Sequence, residues 1–526
     1  MMSRNGWKSE GPSSKKPKVI RHREEYLNIF RVGEPQLRLL VAEALKGGGD
    51  YSDLYFEYTT YGNLMLRDSE VTSGGLHVDF GVGIRVLSGE KTGYAYSEST
   101  EMKDMVAAAR AASAIAGGEG STGSVNVTPE EAAAILKRSH DLADSFVPLH
   151  SNGERCVRKF FPGEPNPAAD RYPVEIHWRR TECSAHLPFL NKLEEAVRRR
   201  DSRIIKVTAT LAFQVTDVLM FNSLGELKYD TRPLASVAVS CVFSQGGKTE
   251  NRSVSRSWRM GVEMLSDALV ETLAEDAVKG IDERFEASRP KGGKMPVVMG
   301  AGASGILLHE AMGHAFEADF ARKGQSIFTG RIGQRVCREG INILDDATIR
   351  YNRGALNYDD EGVPGQKTYM VEDGILTSFL HDRISARHFG VTPTGNGRRE
   401  SFRYAPIPRM RATYMESGTA TPSDLIGSVK KGIYVDEFSN GQVQIGEGDF
   451  TFYVKSGFLI EEGRLTRPVK DINIIGNGPR ALAEMTGVAG DLIVDESAWT
   501  CGKSQNVPVS CGIPTVLIES LTVGGE

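Results

Sequence analysis

The spacing of apolar and polar positions divides the chain into helical and strand-like segments. Glu34 to Leu45 reads as an amphipathic helix, closed by the glycines at 47–49. From Asp53 to Tyr96 the pattern alternates in short glycine-punctuated runs, as in Leu54-Tyr55-Phe56-Glu57-Tyr58 and Val82-Gly83-Ile84-Arg85-Val86, which predicts antiparallel strands. Met102 to Ala116 is Ala-rich and helical. Pro148 to Pro173 carries weak periodicity and reads as a loop or linker. Helix returns near Leu190–Arg199, strands run from Ile204 to Val254, and a further helix runs from Met264 to about Phe285.

Turn residues over Ser288–Lys294 mark a boundary. Beyond it come a short strand, Pro296 to Met299, a helix, and then mostly strands and turns. Two segments read as hairpins, Met370–Leu376 and Leu459–Leu465, each with an acidic-Gly turn between apolar runs. The expected architecture is α+β. A flexible basic leader (1–30) precedes an N-terminal mixed domain with an antiparallel sheet (31–290). A β-rich C-terminal domain with an embedded metal-binding helix follows (291–526).

Composition narrows the function classes. The chain has 526 residues, 40% hydrophobic and 25% charged, with a formal net charge of −5. That balance is ordinary for a globular protein and argues against nucleic acid or an anionic membrane as partner. No segment approaches the ~18 consecutive apolar residues of a membrane span. The basic run from Lys15 to Arg23 has no apolar region behind it and does not read as a secretory signal. Six cysteines without short paired spacing argue against a disulfide framework, so a reducing cytoplasm is the expected location.

Two motifs overlap at the start of the C-terminal part. Gly300-Ala301-Gly302-Ala303-Ser304-Gly305 matches G-x-G-x-x-G after a strand and before a helix, the context of a dinucleotide-binding loop in an oxidoreductase. The helix instead runs into Asp319–Gln325 with no buried parallel strand near the required place, so a tight strand-to-helix turn is the favoured reading.

Immediately downstream stands His309-Glu310-Ala311-Met312-Gly313-His314. Two imidazoles can bind a metal, and a neighbouring glutamate can take a proton from water. A spacing of five places the histidines about 140° apart on an ideal helix. The motif therefore predicts a local distortion, a π-bulge made inexpensive by Gly313. Tetrahedral zinc requires a third protein ligand. Glu317, Asp319, His381, His388 and Cys501 are the candidates, and spacing does not choose among them.

At this point the chain resembles the TldD/PmbA family of zinc peptidases, specifically the metal-bearing TldD type. The resemblance rests on Gly81–Arg85, Ser88–Tyr96, Leu308–Ala311 with Gly313-His314, Asp359–Gly362 with Pro364-Gly365, Thr394–Ser401, and Thr500-Cys501-Gly502-Lys503. The family's HExxxH pattern accounts for the five-residue spacing. The resemblance implies zinc on His309, His314 and Cys501, and Glu310 as general base. It also implies peptide-bond hydrolysis in short or unfolded peptides, and a PmbA/TldE-type partner subunit, with a homodimer as the alternative.

Three features depart from the family pattern: the long leader, the 151–173 stretch, and Arg252–Trp258 in place of a glycine-rich segment. Arg398 and Arg399 are candidate oxyanion donors, with structural salt bridges as the competing role. The rival functions are a nucleotide-binding oxidoreductase and a non-catalytic, zinc-stabilised regulatory subunit.

Overall fold

The structure is a computed structural model that describes residues 22–117, 170–302, 304–444 and 447–525. The first 21 residues of the expected leader and most of the 151–173 stretch lie outside the described residues. Residues 23–30, expected to belong to the leader, form a helix instead, α1 (Arg23–Phe30). Tyr26, Leu27 and Phe30 share one side of it and are buried, with Phe30 5.5 Å from Phe56. Three apolar side chains on two turns bind these residues to the core.

The N-terminal half is one antiparallel sheet. Its strands are β1 (Tyr51–Arg67), β2 (Glu70–Ser88), β3 (Lys91–Ser97), β4 (Ile204–Asn222), β5 (Leu227–Gln245) and β6 (Lys248–Trp258), in the order β3-β2-β1-β4-β5-β6. Tight turns at Asp68-Ser69 and Gly246-Gly247 hold positive φ at both central residues, the geometry that matches the twist of paired strands. Helices α2 (Glu34–Leu45) and α3 (Met102–Gly117) pack on the β1–β3 half. The helices Leu187–Arg198 and Asp267–Val278 pack on the rest. The single helix expected to span Met264 to Phe285 is two, because Gly280 (φ 71°) turns the chain before Ile281–Glu286.

The C-terminal half opens with β7 (Gly293–Met299). This strand pairs parallel with Lys431–Gln444 and antiparallel with Val516–Gly524. The latter pairs with Ile472–Asn477, which pairs with Asp449–Glu461, which returns to Lys431–Gln444. The circuit is closed, so these five strands leave no open edge among themselves. A second sheet is built from Ile343–Asp346, Lys367–Glu372, Ile375–Leu376, Ala412–Met415, Ile493–Val494 and Ser510–Ile513. Both expected hairpins are present, with Asp373-Gly374 and Glu462-Gly463 at positive φ. No helix among the described residues is long and apolar enough to cross a membrane.

Phe402 seams the halves together. A Cβ on Gly81 would lie 2.2 Å from its ring, and one on Gly83 would lie 2.5 Å from its carbonyl oxygen, so both positions need glycine. Buried ion pairs flank the ring: Arg85–Glu361 at 2.7 Å and Arg232–Asp360. In the segment Arg252–Trp258, Arg252 reaches Glu437 across the halves (3.2 Å).

Candidate metal centre

Gly302 and Ser304 lie in the turn between β7 and the helix Gly305–Ala311. Gly302 takes φ 90°, and a Cβ on Gly305 would lie 2.7 Å from the Gly512 backbone. The helix it opens, Gly305–Ala311, leads to strand Ile343–Asp346 in the other sheet, so no parallel βαβ unit surrounds the glycines. The dinucleotide-binding context is therefore absent.

Leu307, Leu308 and Ala311 bury this short helix in the core that joins both C-terminal sheets. At seven residues it is too short to persist by propensity, so packing holds it. It ends at Met312 (φ −131°, ψ −43°), and the chain resumes as a 3₁₀ turn, Gly313–Phe316. This break, one residue before Gly313, replaces the expected π-bulge. It takes His314 off the helical track and brings it back beside His309. Gly313 contributes space: a Cβ there would lie 2.4 Å from Met410 Sδ.

Cys501 arrives from a ribbon of Thr500–Cys501 paired antiparallel with Val507–Pro508. One ligand-type atom each from His309, His314 and Cys501 lie within 4.8 Å of one another, and all three residues are buried. Cys501 Sγ is 3.3 Å from His314 Nε2. In a tetrahedral zinc site such atoms stand about 3.3–3.6 Å apart, so a small contraction closes the set.

A bound cation fits these residues on two counts. Both ring nitrogens of His309 are buried without a hydrogen-bond partner among the described residues, an arrangement that buried polar groups rarely sustain unless something fills it. Burial alone would raise the Cys501 thiol, but the charge of His309 and the hydrogen bond and charge of His314 overcome it and hold the group down at about 4, as a thiolate. Burial likewise opposes protonation of His314, yet Glu317 and the Cys501 sulfur raise that imidazole to about 10.

The surrounding residues fix the donors. Glu317, entirely buried, accepts from His314 Nδ1 at 2.7 Å, which turns Nε2 toward Cys501. Glu317 in turn meets Lys503 Nζ at 3.0 Å and Arg409 Nε at 3.8 Å, and accepts from the Met410 amide. Burial opposes its ionisation, but Lys503 and His314 hold its carboxyl well below the usual range. Lys503 also pairs with Asp319 (2.7 Å). Arg409 donates to the carbonyls of Cys501 (2.8 Å) and Gln505 (2.6 Å), and so secures the ribbon. Glu310, 31% exposed, faces both rings, with carboxylate oxygens 3.7 Å from His314 Nε2 and 4.0 Å from His309 Nε2.

Of the sequence candidates, Glu317 and Asp319 thus stand behind the donor set. His381 contacts Ser385, and His388 pairs with Glu90, both away from it. Arg398 donates to the carbonyls of Met410 and Pro508, and Arg399 to Asp360 O and Tyr94. Both guanidiniums make these contacts to the protein, and neither is hydrogen-bonded to a metal donor among the described residues. Arg409 was missed by sequence reasoning and carries no signal there, whereas Lys503 lies in the quoted Cys-Gly-Lys segment.

Comparison with known proteins matches three family models described as the PmbA/TldA metallopeptidase domain 1 (residues 52–116), central domain (180–282) and C-terminal domain (292–525). A metalloprotease TldD homolog of Haemophilus influenzae is 36% identical over 482 residues, 90% of this chain and 93% of that protein. A zinc metalloprotease TldD homolog of Saccharolobus solfataricus is 33% identical, over 55% of this chain and 65% of that protein. The crystal structure of TldE from Thermococcus kodakarensis superposes with a TM-score of 0.66 at 18% identity, covering 93% of this chain and all of that one.

Proposed function

This chain belongs to the PmbA/TldD metallopeptidase family, and we propose that it hydrolyses peptide bonds with a zinc ion held by His309, His314 and Cys501, using Glu310 as general base. The observation that carries the proposal is the convergence of two imidazoles and a thiolate, one imidazole otherwise unpartnered, beside a half-exposed carboxylate. Two nitrogens and one sulfur, with one side left open, is a donor set that suits zinc.

Zinc in such a site brings the pKa of a water it holds toward about 7 and polarises a carbonyl. Glu310 sits where it can accept the proton of the attacking water and later deliver it to the departing amine. Glu317 keeps His314 in the tautomer that presents Nε2, Lys503 compensates the charge of Glu317, and Arg409 fixes the Cys501 backbone. The substrate class we propose is short or unfolded peptide. The likeness in fold to a TldE supports assembly with a TldE-type subunit, and a homodimer is the alternative assembly.

The deciding experiment is Glu310→Gln, measured for bound zinc and for turnover of a mixed peptide library. We expect unchanged zinc and a loss of about 10²–10⁴ in kcat. A zinc-loaded Glu310→Gln protein with parental turnover would exclude Glu310 as the base.

A further inference from the structure

A cavity of about 250 Å³ lies between the N-terminal sheet and the back of the Cys501 ribbon. Tyr55 and Glu57 of β1, Thr216 of β4 and Arg232 of β5 form one wall, and Thr500 and Pro508 belong to the other. Neighbouring residues of a strand face opposite ways, so Thr500 looks away from the side on which Cys501 meets the histidines.

Arg259, Arg353 and Arg398 also line this cavity, with residue exposures of only 3%, 8% and 3%. None of the three has a carboxylate within ion-pair distance among the described residues. Arg353 donates to Trp499 O (2.6 Å), to Ser257 Oγ (2.7 Å) and to Thr500 Oγ1 (3.2 Å). Arg398 uses the carbonyls of Met410 and Pro508. Arg259 donates through Nη1 to Pro233 O (3.3 Å) and lies over the Tyr172 ring, while its Nε is buried with no partner among the described residues.

The three acids of the lining are already engaged, Glu400 by the Asn506 amide (2.6 Å). Glu57 accepts from Thr59 and from the Phe402 amide, and Asp360 accepts from Arg232 and from the Arg399 amide. Burial pushes Arg353 down to about 10, with the charge of Arg259 adding to it, and pushes Arg398 down to about 9, where the Asp360 charge opposes the shift and that of Arg259 adds to it. A buried charge without a counter-ion costs several kcal/mol by general estimates. Three around one void constitute a place built for an anion.

We propose that this cavity binds an oxyanion, a carboxylate or phosphate group that pairs with Arg259, Arg353 and Arg398. Guanidinium forks match the planar or tetrahedral oxygens of such groups. The void holds one such group together with a residue-sized remainder. Its source is either an acidic peptide or a free inorganic anion, and the two are separable.

The test uses the full-length, zinc-loaded protein at constant ionic strength in chloride. Melting temperature is read with millimolar inorganic phosphate and, separately, with acetyl-Asp-Glu-amide. Arg259→Met is the control, because Arg259 touches neither the ribbon nor the metal donors. A rise of roughly 2 °C or more in the parent, absent in Arg259→Met, is expected for one of the two ligands. A phosphate response with no peptide response assigns a free anion; the reverse assigns a peptide carboxylate. Should Arg259→Met fail to fold, Arg259→Lys keeps the charge without the fork and is expected to show a reduced shift. A parent protein indifferent to both ligands, or a response undiminished in the folded Arg259 variant, overturns the proposal.

Discussion

Replacing Glu317 with glutamine isolates one charge at the centre of the candidate metal site. The carboxylate is fully buried, 2.7 Å from His314 Nδ1 and 3.0 Å from Lys503 Nζ. At an effective dielectric of about 20, one ion pair at 3.0 Å corresponds to roughly 5 kcal/mol. Removing the Glu317 charge leaves the Lys503 ammonium with Asp319 as its remaining partner (2.7 Å), so the cost to the fold should fall below the about 3–5 kcal/mol of a fully stranded buried charge. The effect on zinc is smaller, because glutamine can still accept the His314 Nδ1–H bond and preserve the tautomer. Only the basicity of the ring is lost, and such partners typically change metal affinity about 10–100-fold, or roughly 1.4–2.7 kcal/mol.

The assay is competition for zinc against a chromophoric chelator at pH 8, paired with a melting curve of the metal-free protein. Lys503→Met serves as companion, since it leaves Glu317 charged: stability should fall while zinc affinity stays within a few-fold of the parent. A folded Glu317→Gln protein that binds zinc as tightly as the parent would refute the contribution of the Glu317 charge to the donor strength of His314.

The remaining predictions use the same geometry. Zinc affinity should rise with pH: His314 holds its proton up to about 10 and must release it to bind, whereas Cys501 is ionised above about 4. One proton released corresponds to about tenfold per pH unit between those limits, readable by titration at several pH values. Cys501→Ala should abolish zinc binding while Cys511→Ala retains it, by metal analysis, because Cys511 is buried in strand Ser510–Ile513 with its thiol raised by burial. Gly83→Ala should destabilise the protein by about 1–3 kcal/mol in chemical denaturation, since the added Cβ would lie 1.9 Å from Tyr94 Oη and 2.5 Å from Phe402 O.

Local pattern made a large part of the fold legible. The helix expected over Glu34–Leu45 has those bounds, and both acidic-Gly hairpins form where their turn chemistry places them. These features depend on a few neighbouring residues. The closed strand circuit does not: β7 pairs with strands more than 130 residues away, and nothing within seven residues encodes that partner. The apolar face of Arg23–Phe30 was visible as Tyr26, Leu27 and Phe30, but the basic run before it masked the signal. At the metal site, residues 309–314 announced a metal, while the way the chain bends to satisfy them depends on packing against Met410. Choosing Cys501 over the nearer acids and histidines needed the family resemblance, because no spacing rule links His309 to a residue nearly two hundred positions on.

The Phe402 seam also bears on how substrate gains access. A hinge opening along it would have to pull an aromatic ring out of a slot shaped by two side-chain-free residues, and would part Arg85 from Glu361 and Arg232 from Asp360 in the same movement. Each separation would leave a buried carboxylate without its guanidinium partner until water reached it, while Arg85 and Arg232 keep Asp53 and Asp230 on their own side. The two halves therefore behave mechanically as a welded frame rather than a clamshell. On the proposed peptidase function, substrate would therefore reach the metal donors without the halves parting along this seam.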